Sequence, residues 1–150
     1  MATTQDYASL INSTNLKTEP GGKWEKKTNF KREKKSDTGF NGDVYVNKTT
    51  REVIIVYEGS SIDFGKKGSK ERQNFMADWQ ENNTALVNKE VAPQIEEAVG
   101  LYNAVAGSGE YKGYAITTTG HSLGGALAYA VSSETGCHAE SYNNPGVIGA

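Results

Sequence analysis

Tyr114-Ala115-Ile116-Thr117-Thr118-Thr119-Gly120-His121-Ser122-Leu123-Gly124-Gly125-Ala126-Leu127-Ala128 changes its periodicity once, at its glycines. The residues before Gly120 are mostly β-branched or aromatic and predict a buried strand. Those after Gly124 are small and apolar and predict a helix packed closely on a sheet. Between them, Gly120 and Gly124 flank a turn too tight for a Cβ at either position, which lets Ser122 take a strained backbone with its Oγ exposed above the strand ends. The N-terminus of the following helix then directs unpaired N–H groups and the positive end of its dipole to the same place. A strand, Gly-x-Ser-x-Gly and a helix in this order place a serine nucleophile where negative charge can be stabilised. A serine that only caps a helix needs neither glycine.

Working outward, the strand after this helix is expected at Cys137-His138-Ala139-Glu140-Ser141-Tyr142, with Gly136 closing the helix and Asn143-Asn144-Pro145-Gly146 forming a turn. Upstream, Val87, Val91, Ile95, Ala98, Tyr102 and Val105 recur at spacings of four and three, an amphipathic helix in which Pro93 either starts the regular part or kinks it. Gly107-Ser108-Gly109 ends that helix. A short helix holding Phe75, Met76 and Trp79 precedes it, after a glycine- and lysine-rich loop over 59–69. Further upstream, residues 43–46 and 52–57 are two strands of a hairpin around Asn47-Lys48-Thr49-Thr50, and the second arm is apolar enough to be central. A strand from Trp24 to Phe30 and a short helix over 4–13 complete the reading.

Length and composition fit this picture. A chain of 150 residues suits one domain. With 36% hydrophobic residues, 23% charged residues and a net charge of −2, nothing calls for nucleic acid as a partner. Charge is uneven: residues 1–75 carry 14 Lys and Arg against 10 Asp and Glu, whereas 76–150 carry 2 against 8. The lysines around Trp24 to Lys35 are expected on a solvated edge strand, where they discourage edge-to-edge pairing. Trp24 and Phe30 leave open a weak anionic-lipid or partner surface. Cys137 is the sole cysteine, which rules out an internal disulfide and predicts a buried structural thiol. Two isolated histidines and one cysteine make no metal site, and no cofactor is expected. The N-terminus has neither the basic nor the apolar region of a signal peptide, and no stretch is long enough to span a bilayer. The expected location is the cytoplasm, or export without a cleaved leader.

The run Thr119 to Ala128 resembles the nucleophile elbow of the class 3 lipases, the fungal-triglyceride-lipase-like α/β-hydrolases. Ile54-Ile55-Val56-Tyr57-Glu58-Gly59-Ser60, Ala77-Asp78-Trp79-Gln80-Glu81-Asn82 and Ser141-Tyr142-Asn143-Asn144-Pro145-Gly146-Val147 resemble further segments of that family in the same order. The likeness covers roughly 40–150. It implies an α/β-hydrolase-like domain with a mostly parallel central sheet and helices on both faces. It also implies a lipid or other carboxylic ester as substrate, Ser122 as nucleophile, and backbone N–H groups of Leu123 and Ser60 as the oxyanion hole. Gly59 then precedes the second donor, while Asp78 and Trp79 hold that loop. Glu58 departs from the pattern, standing where the family commonly has Arg; it is expected to face solvent or pair with a lysine. His121 adjoins Ser122 on extended backbone, so its side chain points away from the nucleophile's side and is expected to pack rather than act as base.

A serine hydrolase also needs a base and an acid to orient it. In this fold the chain order is Ser, Asp or Glu, then His. After Ser122 the only acids are Glu134 and Glu140 and the only histidine is His138, which precedes Glu140 inside a strand. Three readings follow: an N-terminal part of a longer enzyme, which is favoured; a chain completed by a second polypeptide that supplies Asp and His; or a non-catalytic hydrolase-fold module that binds a partner or lipid.

Overall fold

The computed structural model describes residues 2–30, 40–58 and 91–142. The segments around Gly59, Ser60, Asp78 and Trp79, and the turn after Tyr142, lie outside the described residues. Five strands make one mixed sheet in the order β1-β2-β3-β4-β5: β1 Trp24–Lys27, β2 Asn41–Asn47, β3 Glu52–Glu58, β4 Ala115–His121 and β5 His138–Tyr142. The first three strands pair antiparallel, as the hairpin requires. From β3 onward the pairing is parallel, with Tyr57 opposite Gly120 and His121 opposite Tyr142. The parallel part carries the elbow.

Helix α1 (Thr4–Leu16) covers one face, while α2 (Val91–Gly107) and α3 (Leu123–Thr135) cover the other. Strand alternation sorts the core accordingly. Tyr45, Ile54, Val56 and Tyr142 meet Tyr7, Leu10 and Ile11 of α1. Val44, Val46, Val53, Ile55 and Tyr57 meet Ala98 and Val105 of α2 and Leu123, Leu127 and Val131 of α3. Every interior residue of β3 from Val53 to Tyr57 is buried, which accounts for its unbroken apolar run. Among the described residues no helix is long and apolar enough to cross a membrane.

Several boundaries differ from the sequence reading. α1 runs three residues past the expected end, because Thr14 turns inward to the Tyr45 hydroxyl at 2.8 Å and Lys17 closes the helix in the left-handed region. Its start is a capping box: Asp6 N–H donates to the Thr3 hydroxyl and Thr3 N–H to the Asp6 carboxylate. β1 stops at Lys27, since Asn29 and Phe30 form a turn that brings the Phe30 ring within 6.1 Å of Tyr111. Lys26 and Lys27 pair with Asp43 and Glu25, and β1 is an outer strand as expected. Pro93 lies in α2; the residues before Val91, which decide whether it starts or kinks the helix, lie outside the described residues. β5 begins at His138, leaving Cys137 in the connection after α3, half-buried rather than buried. Its carbonyl accepts from the Ser132 hydroxyl, and this bond keeps the residue off the strand ladder.

Candidate active site

Ser122 occupies the single residue between β4 and α3. Its backbone is at φ 60°, ψ −120°, in a region almost reserved for glycine. Two hydrogen bonds fix the peptide groups on either side of it. The Ser122 N–H donates to the Tyr142 carbonyl at 2.7 Å, and the Ser122 carbonyl accepts from Ala126 N–H at 3.1 Å as the first helical bond of α3. The side chain makes no capping hydrogen bond to the helix. A serine serving only as a cap adopts extended backbone and bonds an N–H of the first turn; Ser122 does neither.

The glycines exist for contact. A Cβ at Gly120 would overlap the Gly124 carbonyl and lie 2.8 Å from Gly125 N. One at Gly124 would overlap the Tyr57 carbonyl oxygen at the end of β3. One at Gly125 would overlap the Ser141 hydroxyl on β5 and lie 3.0 Å from the Gly120 carbonyl. The first turn of α3 thus rests directly on the ends of β3, β4 and β5. This seats the helix N-terminus, equivalent to roughly half a positive charge, over the sheet beside Ser122. Leu123, the first residue of α3, has a buried side chain, and its N–H has no carbonyl partner within its own helix.

The strand beneath is anchored by threonines. The Thr119 hydroxyl donates to the Glu140 carbonyl at 2.6 Å, and the Thr118 hydroxyl to the Ala128 carbonyl at 3.2 Å. The Tyr57 hydroxyl donates to the Ala98 carbonyl at 2.7 Å, tying β3 to α2, and burial pushes its pKa well above the ordinary value.

The two histidines fall at opposite ends of the parallel strands. His138 opens β5 opposite Thr117, about 16 Å along the strand direction from Ser122. It is exposed and bonded to Glu140 at 2.8 Å. His121 ends β4 on the α1 face, the face that Thr117 and Thr119 share and that Gly120 and Thr118 do not. It is half-buried. Glu58 ends β3 on the same face, following Ile54 and Val56, and is half-buried.

A Gly-x-Ser-x-Gly elbow on a mixed sheet with helices on both faces defines the α/β-hydrolase class. The chain belongs to the family described as Phospholipase-like: Tle-like phospholipase domain, whose model matches residues 14–148. No curated protein sequence matches it. Among solved structures it is similar to the Lip2 lipase from Yarrowia lipolytica, at 16% identity and TM-score 0.54, covering 92% of this chain and 55% of that one. It is also similar to the Rhizomucor miehei triacylglyceride lipase, at 17% identity and TM-score 0.52, covering 93% and 57%. A fungal lipase solved as an inhibitor complex matches at 17% identity and TM-score 0.51, covering 87% and 53%. These likenesses show a shared fold. The chain spans about half the length of the solved lipases it matches.

Proposed function

We propose that this chain carries the nucleophile and the oxyanion-binding groups of an enzyme that hydrolyses carboxylic esters of lipids, acting as a lipase or phospholipase through a Ser122 acyl-enzyme. The observation that carries the reading is the Ser122 backbone, whose conformation costs on the order of 1–3 kcal/mol and serves no purpose in capping α3. The family's phospholipase description and the lipase neighbours support the substrate class.

In this mechanism Ser122 Oγ attacks the ester carbonyl carbon while a general base takes its proton. Negative charge builds on the former carbonyl oxygen, where Leu123 N–H and the helix dipole meet it. Ser60, following Gly59, supplies the second N–H, with Asp78 and Trp79 holding that loop. Each such donor is worth about 2.7–4 kcal/mol in acyl-transfer enzymes. The C–O bond then breaks, and the departing alcohol takes the proton from the base. Water, deprotonated by the same base, attacks the acyl-serine, releases the fatty acid and restores Ser122.

Neither histidine can be that base. His121 faces α1 behind the serine, and His138 stands at the far end of β5. In this reading the base and its orienting carboxylate are supplied by further polypeptide, either a continuation of the same hydrolase domain or a second chain. Without them, residual acceleration of roughly 10³–10⁴-fold over water is expected, as when triad members are removed from serine proteases. The test is fatty-acid release from phospholipid vesicles and triacylglycerol emulsions, with and without Ser122→Ala. The isolated chain is expected to be almost silent, and the complete polypeptide to lose its lipid hydrolysis with Ser122→Ala. Hydrolysis unaffected by that change would defeat the reading.

A further inference from the structure

Two successive residues at the end of β5 hold the elbow from the two faces of the sheet. The Ser141 side chain lies against Gly125, where a Cβ would overlap its hydroxyl. Tyr142 reaches the elbow through its main chain, with its carbonyl accepting from the Ser122 N–H at 2.7 Å. That bond follows the last paired position of β4, where His121 lies opposite Tyr142. It fixes the peptide plane from which the Ser122 φ of 60° turns away. One position back, the Thr119 hydroxyl donates to the Glu140 carbonyl at 2.6 Å, so the two strands are also joined through a side chain.

The Tyr142 carbonyl is held in turn by the side chain of the same residue. β5 has five residues and, among the described residues, pairs on one side only, with β4. Such a strand is restrained by one ladder and by whatever covers its faces. The four residues before Tyr142 are half-buried or exposed; Tyr142 is buried. Its ring packs with Tyr7, Leu10 and Ile11 of α1 and with Ile54 and Val56 of β3. Thr4, in the first turn of α1, hydrogen-bonds the phenol. One residue thus joins α1 through its side chain to the nucleophile elbow through its main chain.

We propose that Tyr142 is a positioning residue for Ser122: its ring, seated under α1, holds the strand-end carbonyl that binds the Ser122 amide, and so keeps the elbow in its strained conformation. A strained backbone persists only where its surroundings over-determine it. The Tyr142 carbonyl makes one of the two main-chain bonds that do so here; the other lies within α3 and moves with it. The hold on the amide follows from the packing alone; its effect on ester hydrolysis rests on Ser122 being the nucleophile.

The test is amide hydrogen exchange of the chain by NMR, read as the protection of the Ser122 amide relative to the interior amides of β4. Tyr142→Ala, Tyr142→Phe and Leu10→Ala are compared. Leu10→Ala empties part of the same cluster without touching the residue that carries the carbonyl, so it reports what lost packing alone does. Tyr142→Ala is expected to lower the relative protection of Ser122 by about tenfold, the net worth of one hydrogen bond, and to move its amide proton signal upfield. Tyr142→Phe should keep both at their wild-type values, and Leu10→Ala should lower Ser122 and β4 together. A relative protection unchanged in Tyr142→Ala would overturn the proposal, and so would an equal loss in Leu10→Ala or in Tyr142→Phe. If Tyr142→Ala does not fold, Tyr142→Val, which favours a strand but lacks the ring, is read by the same criteria. Exchange needs no ester turnover, so a Ser122 that is inert to a serine-directed probe leaves these outcomes intact. Where hydrolysis is lost with Ser122→Ala, Tyr142→Ala should lower kcat by about tenfold at unchanged KM, and an unchanged kcat would overturn the link to catalysis.

Discussion

At Ser122 one residue gives up backbone stability to place a side chain. At φ 60°, ψ −120° a Cβ is strained and glycine is not. Ser122→Gly and Ser122→Ala both remove the hydroxyl, so their difference isolates the strain. Ser122→Gly is expected to be more stable than Ser122→Ala by about 1–3 kcal/mol in denaturant unfolding, while neither variant hydrolyses lipid esters. Equal stabilities would mean the turn relaxes at no cost and the elbow is not strained. The residues Gly120-His121-Ser122-Leu123-Gly124 announced this geometry, because only a tight strand-to-helix turn needs glycine on both sides of a serine. The register beneath the elbow was not announced. That Tyr57 lies level with Gly120 depends on how β3 and β4 meet, and no local pattern encodes that.

Between elements, the decisive contact is α3 on the strand ends. Gly124 has no room for a methyl group because the Tyr57 carbonyl fills it, whereas Gly100, exposed in α2, has nothing within 4 Å of where a Cβ would sit. Gly124→Ala is expected to destabilise by at least about 2 kcal/mol and to displace the helix N-terminus from Ser122. Gly100→Ala, by contrast, should stabilise by about 0.5–1 kcal/mol through helix propensity. Thermal unfolding of the two variants checks the contrast, and a neutral Gly124→Ala would show that α3 sits farther from β3 than described. Periodicity located α2, α3 and the β2–β3 hairpin well, because each buries one continuous stripe. Element ends were harder to read. α1 continues to Leu16 through the tertiary bond between Thr14 and Tyr45, and β1 ends early through the packing of Phe30 on Tyr111.

For the whole molecule, the core is rich in enclosed phenols, and this fixes its response to alkali. Burial raises the pKa of Tyr45 and of Tyr57, and of Tyr111 to about 12. The folded state therefore holds these protons more tightly than the unfolded chain. Their contribution to stability is complete below pH 10 and is lost as pH rises from 10 toward the folded values. Each should remove about 1.4 kcal/mol per pH unit over that window. Equilibrium unfolding between pH 9 and 11 is expected to show a plateau and then this decline. Tyr57→Phe should shallow the slope, and a slope unchanged in that variant would contradict the assignment.

The claim on which the functional account stands is that the residue between β4 and α3 is a nucleophile. The direct measurement is mass-spectrometric mapping of the adduct formed by a fluorophosphonate probe on this chain, together with any polypeptide that supplies its base, beside a serine hydrolase of known reactivity. The account predicts one modified peptide, carrying the phosphonyl group on Ser122 and absent from Ser122→Ala. A folded polypeptide that leaves Ser122 unmodified while the reference enzyme is fully labelled would contradict it.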